Sequence, residues 1–408
     1  MDPSSVVLPR YCGGCFADLP KTIRYLLTGK GAPGLDRKIL GPLDRRWDKV
    51  ALFFIDAFGW SFCEPRLNEF PFLRQFAELG VAESITAQFP STTAAHVTCI
   101  HTGLSPIESG VYEWQYYEPL VDEIIMPLLF SPVGVRTRNA LEDIEPEQIL
   151  PSQTLYKELE NFGIRSCGFQ PSLHLISPYA RLTYDGAEVV PYRTLSEGLT
   201  TLHERILSET DPSYFFFYFD GIDQVGHSQG PNSSHISAEI DSFLLAMERI
   251  FGEDGDGDTL LMLVADHGMA PIDPKHTIYL NVEPEFQGIE RFLRTNSAGR
   301  LLVPAGSCRD MFLYIKEGML EEAQAFLSLR LQGRARVVSS AELISQGLFG
   351  PGPASEAFNM HIGDLIILPN YGEAVWWYER GKFEQTLFGG HGGLTSQEMM
   401  VPFLARPY

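Results

Sequence analysis

The chain has 408 residues, 44% of them hydrophobic, and a formal net charge of −21. That is enough to bury one large core, and it excludes binding driven by a general attraction to nucleic acid or to anionic membranes. No apolar run is long enough to span a bilayer: the densest, 214–219 and 260–265, are strand-sized.

The opening residues MDPSSVVLPRY carry neither a basic segment nor an apolar one, so no secretory signal is read and a cytoplasmic location is the expectation. Residues 1–47 form a lead-in, with a helix around 19–27 and a Gly/Pro-punctuated loop over 31–43. Within it Cys12 and Cys15 form the one close pair among six cysteines. A lone C-x-x-C of this kind reads as a glycine turn with two reduced thiols.

Residues 49–56 are almost continuously apolar and end in Asp56, the pattern of a buried strand. A helix over 71–79 starts on a proline and leads to a second strand at 82–89. Thr93 opens a helix to about Thr102, closed by Gly103-Leu-Ser-Pro. Further strands fall near 165–169, 214–220 and 259–266, with a helix over 234–251. The acidic run 252–258 (GEDGDGD) lacks the distal Glu of an EF-hand and reads as a solvated turn.

Apolar strands alternating with helices predict an α/β fold, a mostly parallel central sheet with helices on both faces. Residues 48–272 and 385–408 are assigned to this catalytic core. Residues 273–384 read as an inserted α+β cap, with strands near 311–315, 335–338 and 364–368 and a helix at 320–331.

In such sheets, ligands bind beyond the carboxyl ends of the strands. Asp56, Asp223 and Asp266 fall at or just after those ends. His227 follows in D-x-x-x-H, His267 in D-H-G and His391 in G-G-H-G-G. With the Thr93 hydroxyl, these donors suit a pair of borderline-hard divalent cations, zinc above all. Two such ions clamp the attacking and leaving oxygens of an in-line phosphoryl displacement. They also bring about four positive charges into the cleft, reversing the local sign of an acidic chain. The expectation is a metal-dependent phosphoryl hydrolase acting on a small-molecule phosphate ester.

Thr93 is the candidate nucleophile, at a helix N-terminus whose N–H groups favour phosphoryl oxygens. Thr92 and Ser91 are rivals by position, and either could be the helix N-cap. His96, one turn further on, reads as a packed or supporting histidine.

The series Asp56, Thr93 with Thr-Gly-Leu nine residues later, D-x-x-x-H, D-H-G and a late G-H-G-G-L resembles the alkaline phosphatase superfamily. Within it the nucleotide pyrophosphatase/phosphodiesterase branch is most similar. The resemblance implies one zinc on Asp223, His227 and His391. A second zinc is implied on Asp56, Asp266 and His267, with Thr93 as covalent nucleophile; the Thr-Gly-Leu register selects Thr93 over Thr92. Two positions depart from the branch: its base-stacking aromatic after the nucleophile is Ala94 here, and its phosphoryl-binding Asn is Trp114. A second stacking aromatic is matched by Tyr218, and Tyr112, Trp114, Tyr116 and Tyr117 could form an aromatic wall. The substrate-binding candidates are therefore Tyr218, Trp114 and Tyr112.

No Arg or Lys occurs between Arg74 and Arg136, so no cation flanks Thr93 in sequence to balance the second charge of a monoester. The expectation is cleavage of phosphodiester or pyrophosphate bonds, of nucleotides or related small molecules. A monoesterase or a phosphonate or sulfate ester hydrolase is the alternative on the same site. A metal-stabilised binding scaffold is the non-enzymatic alternative.

Overall fold

A computed structural model describes residues 2, 4–135, 141, 144–253, 255 and 257–408. Asp254 and Asp256 of the acidic run, and Arg136, lie outside the described residues.

All seven residues of Lys49–Ile55 are buried. The strand runs through the middle of a seven-stranded sheet in the order Val81–Thr86, Met400–Pro407, Thr259–Val264, Lys49–Ile55, Ser213–Phe219, Arg165–Pro171 and Glu188–Tyr192. Ser213–Phe219 and Thr259–Val264 are likewise buried at every residue, which requires both faces of the sheet to be covered. Met400–Pro407 alone runs antiparallel to its two neighbours; the other pairings are parallel. The fold is thus the expected α/β type.

Register sets the level of the functional ends. Ile55 pairs with Phe219, and Phe54 with Val264. Asp56, Asp220 and the Ala265–Asp266 step therefore leave the sheet side by side, and the Asp56 N–H donates to Phe219 O at 2.9 Å.

The helix Thr93–Thr102 is buried from Ala94 to Thr102. Being enclosed all round rather than on one stripe, it presents its N-terminus to the cleft from a fixed position. Asp223 and His227 stand one turn apart on the helix Gly221–Gln229, an element not read from the sequence. The strand Glu188–Tyr192 and the helix Leu195–Ser208 were not expected, although the Thr194/Glu197 capping box of that helix is visible in the sequence. The loop over 31–43 contains two short helical turns, Arg37–Leu40 and Gly41–Leu43.

Between Asp266 and His391 lies a four-stranded antiparallel sheet, ordered Ala305–Ser307, Asp310–Leu313, Leu365–Pro369 and Ala335–Ser339. Alternation along one of its strands explains how it is held. Met311 and Leu313 join a separate apolar cluster with Phe292 and Leu327, whereas Phe312 belongs to the main core.

Candidate active site

Six side chains meet beyond the carboxyl edge of the sheet. Asp56 and Asp266 come from strand ends, His267 directly follows Asp266, Asp223 and His227 come from the helix Gly221–Gln229, and His391 from the glycine-flanked loop. That loop needs its glycines. A Cβ on Gly392, which has a φ of +121°, would lie 2.4 Å from Asp310 Oδ1, and one on Gly389 would lie 2.6 Å from Gly226 O.

Each histidine is oriented by a backbone carbonyl. His227 Nδ1 lies 2.8 Å from Gly389 O, His267 Nδ1 2.9 Å from Gly268 O, and His391 Nδ1 3.0 Å from Ser91 O. A carbonyl only accepts, so the proton of each neutral imidazole sits on Nδ1, which leaves its Nε2 to accept. Those acceptors converge. His391 Nε2 and His227 Nε2 are 3.2 Å apart, and Asp223 Oδ1 lies 3.3 Å from one and 3.8 Å from the other. On the other side, His267 Nε2 lies 3.3 Å from Asp266 Oδ2 and 3.5 Å from Asp56 Oδ1.

Asp223 Oδ1 and Asp266 Oδ2 are buried without a hydrogen-bond partner. Burial, then the Asp266 and Asp223 charges, raises Asp56 well above the usual carboxylate range. Burial also pushes Asp266 up to about 7. Burial and the neighbouring imidazoles hold His267 and His391 far below the usual range. Lone pairs gathered this closely repel unless cations lie among them. The geometry fits the two expected ligand sets, and His267 is close enough to group with Asp223 and His391 as well.

Thr93 Oγ1 lies between these carboxylates and imidazoles, 3.1 Å from His267 Nε2 and 3.4 Å from Asp56 Oδ1. Its rivals are engaged elsewhere. Ser91 Oγ donates to Gly393 O at 2.8 Å, and Thr92 is the N-cap, 1% exposed. His96 is buried, accepting from the Gln88 N–H at 2.8 Å and bonding Thr92 O at 2.7 Å. It braces the nucleophile turn.

Two recesses open on either side of Trp114, and Thr93 and Asp223 line both. One, of about 270 Å³, continues past Asp56, Tyr218, His174, Asp220 and Gln224 to an inner end of Val97, Tyr184 and Phe216. The other, of about 550 Å³, passes His227 and His391 to Lys382 and Phe383. Trp114 is thus brought to the cleft.

Tyr218 also lines the first recess, but it is only 6% exposed and donates its hydroxyl to Asp56 Oδ2. Tyr112 does not reach either recess. It is fully buried, packed on Phe312 and Phe358 and bonded to His361 O at 3.2 Å, so its ring belongs to the junction of the main core and the four-stranded sheet. Tyr116 stacks on His361 in that same junction.

Sequence reading missed His174, whose Nε2 lies 2.7 Å from Asp220 Oδ2. Asp220 stands one turn before Asp223, a signal that could have been used. It also missed Arg309, which pairs with Glu398 through two bonds of 3.0 and 2.9 Å, both side chains fully buried. Glu398 in turn accepts from the Gly393 N–H at 3.1 Å.

Residues 50–394 match the family described as type I phosphodiesterase/nucleotide pyrophosphatase. The chain belongs to that family. As a phosphodiesterase-family chain it is 24% identical over 273 residues to GPI ethanolamine phosphate transferase 2 of Saccharomyces cerevisiae, covering 62% of this chain and 29% of the relative. It is 24% identical over 251 residues to ectonucleotide pyrophosphatase/phosphodiesterase family member 1 of Mus musculus, covering 56% and 25%. The chain therefore spans less than a third of these curated relatives. Among solved structures, an inactive murine ectonucleotide pyrophosphatase/phosphodiesterase 5 in complex with AMP is similar with a TM-score of 0.60 at 17% identity, over 88% of this chain and 87% of that one. That last likeness is one of fold. Among the described residues, no helix is long and apolar enough to cross a membrane.

Proposed function

We propose that this phosphoesterase-family protein hydrolyses phosphodiester or pyrophosphate bonds of nucleotides or related small molecules, with Thr93 as nucleophile. Asp56, Asp266 and His267 would hold one divalent cation and Asp223, His227 and His391 another. The mixed nitrogen and oxygen donors favour zinc. The observation that carries the reading is the position of Thr93 Oγ1, 3.1 Å from the bare His267 Nε2 at the meeting point of the two ligand sets.

Bound cations would supply the charge that activates the hydroxyl and offsets the charge developing on the phosphoryl oxygens. Asp56 and His267 orient the Thr93 hydroxyl. The N–H groups at the start of its helix face the phosphoryl oxygens. In-line attack from Thr93 sends the leaving oxygen to the far side of phosphorus, towards Asp223, His227 and His391. Water entering from that side then cleaves the Thr93–phosphoryl bond.

Two recesses meeting at Thr93 and Asp223 support a substrate with two arms, as in a diester. No Arg or Lys lines the first recess among the described residues, and Lys382 of the cap lines the second. The murine relative solved with AMP supports a nucleotide arm. A second reading follows from the yeast relative named as a transferase: the group on Thr93 passes to an alcohol instead of water.

The experiment compares kcat/KM for bis-p-nitrophenyl phosphate and p-nitrophenyl phosphate on zinc-loaded protein, with and without added ethanolamine or glycerol. The diester is expected to be preferred, with water as acceptor. A monoester preference would contradict the proposal. A phosphoryl product carried by the added alcohol would establish the transferase reading.

A further inference from the structure

His267 and His391 belong to different ligand sets, yet their rings stack, with centroids 3.7 Å apart and planes 12° from parallel. They come from distant parts of the chain, and one residue bonds to both of their loops. Glu398 lies in the short helix Ser396–Met399. Its carboxylate accepts from the Gly393 N–H at 3.1 Å, next but one after His391, and from the Thr395 hydroxyl at 2.6 Å. Its main-chain carbonyl accepts from the Gly268 N–H at 2.9 Å, and Gly268 O is the acceptor that orients His267. The approach is close: a Cβ on Gly268 would collide with Gln397 O.

Thr395 and Glu398 form the capping box of that helix, which explains the Thr395 bonds by itself. A capping box does not call for an arginine. Yet Arg309 closes on the same carboxylate, Nε donating to Oε1 at 3.0 Å and Nη2 to Oε2 at 2.9 Å, with neither side chain exposed. Burying such a pair is costly, and apolar residues of similar size often serve stability as well. What the guanidinium fork adds is direction, because it fixes both oxygens at once. Arg309 Nη1 also donates to Asn370 O at 2.7 Å and to Glu373 O, and nearby Ser307 Oγ donates to His391 O at 2.9 Å. The turn between the strands Ala305–Ser307 and Asp310–Leu313 is thereby tied to the loop that carries His391.

We propose that Arg309 and Glu398 are a positioning pair that sets the spacing between the two cation sites, an inference that rests on the ligand sets of the proposed function. Two ions that share one in-line displacement lie about 3.5–4 Å apart. Each set has one histidine on a loop bonded to Glu398, so a shift of that residue would move His391 against His267. With both carboxylate oxygens held by the fork and its carbonyl held by Gly268, Glu398 is fixed at three points. Neither Arg309 nor Glu398 lines either recess; the pair acts through the two loops.

The test uses the full chain, stripped of metal and reloaded. Zinc affinity is read by competition with a chelator, and site geometry from the visible absorption of the Co²⁺-loaded form. Wild type is expected to take up zinc at both sites, which checks the ligand sets by themselves. Arg309→Lys keeps the charge and loses the fork. A double variant, Arg309→Met with Glu398→Gln, leaves no buried charge unpaired and keeps an oxygen for the Thr395 cap. It carries the comparison if Arg309→Lys fails to fold. Each variant is expected to lose roughly 10–100-fold in zinc affinity and to shift the Co²⁺ spectrum. An unchanged zinc affinity in either folded variant, whatever its Tm, would overturn the proposal and leave the pair as a brace of the fold. A wild type that takes up no metal would overturn the ligand sets, and this proposal with them, so the two failures are told apart by the wild-type arm.

Discussion

Tyr218 donates its phenolic hydroxyl to Asp56 Oδ2, while Asp56 Oδ1 lies 3.4 Å from the Thr93 hydroxyl. The tyrosine therefore holds the carboxylate that faces the nucleophile, and its ring is nearly closed off from the recess. This is the kind of outer bond that orients a metal-binding carboxylate.

Tyr218→Phe removes that bond with little change of shape. Metal affinity is expected to fall by roughly 10–100-fold, read by competition with a chelator of known affinity, while the fold is retained. Unchanged affinity would assign Tyr218 to packing alone.

Removing metal should destabilise the protein. Asp56, Asp223 and Asp266 all have raised pKa values, with burial the largest cause, so the metal-free fold keeps crowded acids at neutral pH. Ligand held at 100 times its Kd adds about 2.7 kcal/mol of stability. The expected result is a Tm that drops with chelator and recovers with zinc. A Tm indifferent to chelation, in protein shown by metal analysis to lose its zinc, would contradict this.

The convergence of these Asp and His side chains was largely legible in the chain because strand ends are local events. Continuous apolar runs followed by Asp placed Asp56 and Asp266, and parallel register brought them level. What stayed hidden depends on contacts between distant segments. Arg309 finds Glu398 only when the strand Asp310–Leu313 and its neighbours pack beside the main sheet. Tyr112 and Tyr218 show the limit of reading aromatics by proximity in sequence: one is enclosed in the main core against Phe312 and Phe358, the other turned onto Asp56. The antiparallel strand Met400–Pro407, second from one edge of the sheet, was missed because nothing local marks a C-terminal apolar run as a sheet partner.

Arg309→Ala leaves Glu398 buried and unpaired beneath the His391 loop. Breaking a buried pair from one side costs about 3–5 kcal/mol, and chemical denaturation should show a loss of that order. A loss below about 1 kcal/mol, the range of exposed pairs, would mean the pair is not sealed from water.

Trp114 divides the two recesses and is 39% exposed. If it stacks on an aromatic arm, Trp114→Ala should cost roughly 1–3 kcal/mol in transition-state binding for nucleotide diesters and much less for dimethyl-type diesters. Equal losses on both would make it a wall without a stacking role.

The most direct measurement is kcat/KM for bis-p-nitrophenyl phosphate with Thr93→Ala, set against wild type and Thr93→Ser, in protein whose zinc content has been counted. Thr93→Ala is expected to lose at least about a thousandfold, roughly 4 kcal/mol of barrier, with Thr93→Ser retaining part of the rate. A zinc-loaded Thr93→Ala protein within tenfold of wild type would contradict the assignment of Thr93 as nucleophile.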